Sequence, residues 1–133
     1  MQEATLFDAV ELFDVVELIV NLPQHGLSAG MHGTVLEVHG DGEAFEIEFS
    51  DEQGRTVNFL ALPPEQFIVV WRAQVQEWVS LAERIAALIA RLPASAGAEV
   101  LDFARFLSAR SHPQTNVQTA HVSLAEAPIE YQA

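Results

Sequence analysis

The sequence predicts an α+β fold: a small β-barrel of about five strands followed by an antiparallel α-helical hairpin. Three observations predict it. In the stretch Gly30–Phe49, Phe45, Ile47 and Phe49 alternate with Glu46 and Glu48, the period of a strand with one buried face. The Asp41-Gly42 pair splits that stretch into two runs, and glycine supplies the positive φ of a tight hairpin turn. Beyond Val75 the apolar period lengthens from two to 3.6 residues, as in an amphipathic helix.

Taken in order, Met1–Glu11 mixes acids with Leu6, Phe7 and Val10 and reads as a lead-in. Leu12–Val20 is rich in β-branched residues, so a strand is expected around Asp14–Leu18, with helix as the rival reading. Asn21–Ala29 carries Pro23, Gly26 and Ser28 and reads as a loop. Gly30 and Gly33 are expected to bracket a turn into a strand over Thr34–His39, paired through Asp41-Gly42 with Ala44–Phe49. A turn with Gly54 at positive φ leads to a third strand over Arg55–Leu60. Pro63-Pro64 then breaks the ladder, because proline has no N–H to donate, and a 3₁₀ turn is expected there. Phe67–Trp71 returns as a buried strand. Five short strands with a proline-bearing turn before the last make an SH3-like pattern.

In the helical part, Trp78, Leu81, Ala82, Ile85, Leu88, Ile89 and Leu92 form one apolar stripe, and Pro93 ends the helix. A second helix is expected from about Ala96 to Ala109, with Val100, Phe103, Ala104 and Leu107 as its stripe. The short link makes the two antiparallel neighbours. A hairpin this small does not fold unaided. Its stripes must pack on the barrel or on another chain, and a second copy would make a symmetric bundle. The organisation is therefore a lead-in over 1–11, a barrel over 12–72, a hairpin over 73–111 and a flexible tail over 112–133. In that tail Val122, Leu124, Ile129 and Tyr131 could add an extended segment to an open sheet edge.

Charge narrows the function. The 133 residues carry a net charge of −13. Residues 1–72 hold 13 acids against Arg55 and Arg72, whereas residues 73–111 hold four acids and four arginines. The acidic part repels phosphate backbones, which argues against direct nucleic-acid binding, and it attracts basic partners. The charge would also serve solubility alone. The chain has no cysteine, which fits a cytoplasmic protein. No basic flank precedes an apolar run at the N-terminus, and no apolar run reaches membrane-spanning length.

Reactive constellations are weak. His25, His32 and His39 are seven apart, which would align them on a helix, but the intervening glycines oppose one, so no metal site is expected. Ser50-Asp51 lacks a nucleophile elbow. The Glu46/Glu48 pair reads as the solvent face of a strand, not as glycosidase carboxylates. Gly30-x-x-Gly33 is too short for a phosphate loop or dinucleotide fingerprint. Trp71 and Trp78 read as core residues before ligand-stacking ones. No enzyme and no cofactor are expected.

Two segments resemble known families. Phe13-Asp14-Val15-Val16, Leu22-Pro23, His25-Gly26-Leu27, Gly30-x-x-Gly33-Thr34-Val35, Phe45–Phe49, Gly54-Arg55-Thr56 and Leu62-Pro63 resemble a family of uncharacterised bacterial SH3-like small domains. That resemblance implies an antitoxin or immunity-type partner. Leu92-Pro93, Glu99-Val100-Leu101-Asp102-Phe103 and Phe106-Leu107 resemble a helical family related to VapB-type antitoxins. Gly97 departs from that pattern, and the DNA-binding half of such antitoxins has no counterpart here. The expected function is a non-enzymatic, antitoxin-like protein that binds and neutralises a basic toxin partner. Its candidate contacts are Glu37, Glu46, Glu48, Asp51, Glu52, Trp78 and Phe106, and a homodimer through the helices is compatible with it. The alternative is an oligomeric adaptor with a helical dimerisation element and a peptide-binding barrel.

Overall fold

The structure, a computed structural model, describes residues 10–112. The expectations for residues 1–9 and for the tail 113–133 lie outside the described residues. The chain divides into two compact units, Met1–Arg91 and Leu92–Ala133.

The first unit holds strands β1 (Val15–Leu18), β2 (His32–His39), β3 (Ala44–Ser50), β4 (Thr56–Leu62), β5 (Phe67–Arg72) and β6 (Glu77–Trp78), then helix α1 (Leu81–Ala90). Single 3₁₀ turns occupy Pro23–His25 and Pro64–Gln66. The strands form one antiparallel sheet in the order β4-β3-β2-β1-β5-β6. The meander β2-β3-β4 follows the sequence reading, and the turn glycines sit where their freedom is used: Gly42 has φ +94° and Gly54 +82°.

The sheet curls strongly. Phe45 on β3 and Phe67 on β5 meet edge to face with ring centroids 5.7 Å apart. Two strands lie between them, so in a flat sheet the rings would be about 14 Å apart. Register shifts in β1, β2 and β3 supply the bending, as bulges do. The inner face buries Val16, Leu18, Leu27, Val35, Ile47, Phe49 and Leu62 with the two phenylalanines. The closed barrel is not what forms, however: the edge strands β4 and β6 are not paired with each other. The Pro63-Pro64 break after β4 carries the chain across to β1, whose free edge β5 takes.

Gly33 corrects the sequence reading. It is not a turn residue but sits inside β2, opposite Phe49. A Cβ there would lie 2.5 Å from Ile47 Cγ2 and 2.9 Å from the Glu48 carbonyl oxygen. Backbone cannot yield as a side-chain tip does, so Gly33→Ala is expected to cost about 2 kcal/mol, a drop in thermal midpoint of roughly 10 °C. Differential scanning calorimetry reads it directly.

The start of α1 is a second correction. Trp78 is not helical. It pairs with Trp71 in the β5–β6 hairpin, with Gln76 at φ +54° in the turn. Val79 is buried in the core, its N–H donating to the Val70 carbonyl at 2.9 Å. Ser80 then caps the helix, its hydroxyl accepting from the Glu83 N–H at 3.1 Å.

α1 sits on the outer face of the sheet through Ala87, which joins Ile68, Val70, Val15 and Ile19. Arg91, just past it, donates from Nη1 to the Ala87 carbonyl (2.7 Å) and from Nε to the Pro64 carbonyl (3.1 Å). Burial lowers the Arg91 guanidinium pKa from its ordinary value, and the nearby Glu65 charge partly offsets this. The expected stripe of Leu81, Ile85, Leu88 and Ile89 points away from the sheet and stays exposed.

In the second unit, α2 (Ala94–Ser111) runs longer than expected at both ends and includes Gly97. Phe103 and Phe106 stack with centroids 6.1 Å apart, and the Arg110 guanidinium lies 5.6 Å from the Phe106 ring centre.

Candidate functional site

The period-two alternation of β3 that buries Phe45, Ile47 and Phe49 necessarily turns Glu46 and Glu48 outward. Register gathers further residues around them. Glu37 on β2 stands opposite Glu46, and Thr34 opposite Glu48. On the other side β4 places Ala61 opposite Glu46 and Phe59 opposite Glu48. Residues opposite one another share a face. The outer surface of β2-β3-β4 is thus an acidic strip around Phe59, an aromatic ring 53 % exposed.

This arrangement opposes stability. Carboxylates directly across a ladder repel, as Glu37 and Glu46 do. One histidine touches the strip: His39 Nε2 lies 3.0 Å from Glu46 Oε1. The Thr56 hydroxyl donates to the Glu48 carboxylate. Glu37 is exposed at the end of the strip.

The remaining candidates belong to other elements. Asp51 holds the β3–β4 turn together. Its Oδ1 accepts the N–H groups of Gln53 and Arg55, each at 2.9 Å, and its Oδ2 accepts from Arg55 Nε at 3.2 Å. Glu52 is exposed beside it, and both line an open groove of about 620 Å³ with Met31, His32, Ser50 and Gln53. Trp78, read both as a core residue of the helical stripe and as a candidate contact, is 69 % exposed on β6, at the opposite edge of the sheet from β4. Phe106 is exposed on α2, in the second unit. The three histidines are spread out: His25 ends a 3₁₀ turn, while His32 and His39 open and close β2. Among the described residues no group of three or more His, Asp or Glu could hold a metal ion.

Two residues escaped the sequence reading. Phe59 carried a signal, since its place in the β4 alternation puts it on the face of Ala61 and opposite that of Leu60 and Leu62. Asp14 carried none. It is 1 % exposed and bonds to Ala73, distant in sequence.

The family model described as a domain of unknown function (DUF4926) matches residues 12–69. The match spans β1 through Val69 in β5 and stops before both helices, and its description assigns no antitoxin role. No curated protein and no solved structure matches the chain. Among the described residues no helix is long and apolar enough to cross a membrane.

Proposed function

We propose that this chain is a non-enzymatic, antitoxin-like protein of the cytoplasm whose acidic outer sheet binds and blocks a basic, toxin-like protein. One observation carries the reading: the outer face of β2-β3-β4 sets Glu37 opposite Glu46 and exposed Phe59 opposite Glu48. Carboxylates steer a basic surface into place, and Phe59 offers an arginine or lysine a ring face. The antitoxin role itself comes from the sequence resemblances, and with it the view of the curled sheet as an opened SH3-like barrel. A second reading, an oligomeric adaptor that binds peptides on its sheet, is favoured by the uncovered apolar face of α1.

Co-expression with the product of the adjacent gene tests the proposal through affinity capture and growth rescue. The expected result is a co-purifying basic protein whose toxicity is relieved. The Glu46→Lys/Glu48→Lys pair is expected to weaken capture by at least about tenfold, because each reversal sets like charge against like. Association is expected to slow about tenfold towards roughly 0.5 M NaCl. Failure of both capture and rescue removes the reading.

A further inference from the structure

α1 is seated on the sheet by the wrong face for a helix that ends its life in a monomer. At 100° per residue, Arg84 and Arg91 lie within about 60° of Ala87, the residue packed on the sheet, whereas Leu81, Ile85, Leu88 and Ile89 spread over about 100–200° from it. The apolar face thus looks outward, and all four side chains are exposed, Leu81 to 65 %. Surface apolar residues scattered singly need no explanation, but a contiguous row on one helix face marks a contact.

We propose that this face of α1 binds the same face of a second copy of this chain. Two features choose that occupant. The first is spacing. Leu81, Ile85 and Leu88 stand at intervals of four and three, the repeat of a coiled-coil seam, with Ile and Leu in the alternating positions that favour two strands. Such a seam matches itself, as a two-fold interface requires. The second is charge. Residues 1–72 carry 13 acids against two arginines, so two copies repel across most of that surface, whereas residues 73–111 balance four against four. The α1 row carries no charge at all. A basic partner is drawn to the sheet; a second acidic copy finds its uncharged approach at α1.

Sedimentation equilibrium of the full chain tests this independently of any toxin. The expected mass is twice 14.6 kDa, with dimerisation strengthened by added NaCl, because salt screens the mutual repulsion. Ile85→Glu is expected to raise the dimer dissociation constant about 100-fold or more, since the two-fold doubles each substitution, while far-UV circular dichroism stays unchanged. Leu81→Ser, milder and at the most exposed position, is expected to raise it about tenfold. Glu48→Gln, which removes one of the repelling charges, is expected not to raise it. A monomer at roughly 100 µM, or a dimer indifferent to both α1 substitutions, overturns the proposal.

Discussion

Phe67→Ala is expected to destabilise the first unit by about 4 kcal/mol, the middle of the range for a buried aromatic truncation. Phe67 is fully buried, meets Phe45 edge to face at 5.7 Å, and opens β5 opposite Leu18 of β1. Backbone ladders hold adjacent strands of this sheet together. Phe67 instead spans the curl, joining strands separated by two others. Truncation therefore removes an aromatic pair and leaves a void where no ladder can close the gap. With total stability typically about 5–15 kcal/mol, the variant is expected to unfold at much lower urea, followed by tryptophan fluorescence from Trp71 and Trp78. Phe67→Leu, which keeps most of the volume, is expected to cost only about 1.5 kcal/mol. Equal losses for the two would mean that the curl does not depend on the ring.

How much of this was legible follows the range of each interaction. The meander β2-β3-β4 was readable because its signals are local: alternating side chains set the faces, and Gly42 and Gly54 set the turns. The acidic strip followed from the same alternation. Closure was not readable, since nothing in a strand's own pattern states whether the sheet's two edges pair. The start of α1 was obscured because Trp78, Leu81, Ala82 and Ile85 happen to stand at helical spacing, and because the β5–β6 turn puts Gln76, not glycine, at positive φ. One local signal did exist. Ser80 followed three residues later by Glu83 has the spacing of a capping box, and it fixes the helix start that the apolar stripe blurred. The outward stripe of α1 is different in kind. Amphipathicity announces that a face will be covered, but not by which surface, and here the sheet accepts the side with Ala87, where a small residue lets the helix approach closely.

The loss of Asp14 should be felt almost as strongly as that of Phe67, through a different mechanism. Asp14 precedes β1, and its carboxylate is buried at 1 % exposure. One oxygen accepts the Glu11 N–H at 2.9 Å and the other the Ala73 N–H at 2.8 Å. Its backbone is engaged too, the carbonyl accepting the Val35 N–H at 3.0 Å. One side chain thus ties the entry to β1 to the chain leaving β5, at the point where Phe13 adopts φ +71°. Asp14→Ala removes the acceptor of both part-buried amides, and an orphaned buried donor costs about 1–3 kcal/mol. The expected loss is about 3 kcal/mol in urea denaturation at pH 7. Asp14→Asn keeps one acceptor oxygen and presents an NH₂ to the other amide, so its expected cost is about 2 kcal/mol. Hydrogen exchange separates this mechanism from general loosening. The Ala73 amide is expected to be protected in the native protein and to exchange much faster in Asp14→Ala, while the amides of the β2–β3 ladder keep their order of protection. An Ala73 amide that exchanges freely in the unaltered chain would show that the tie does not form in solution.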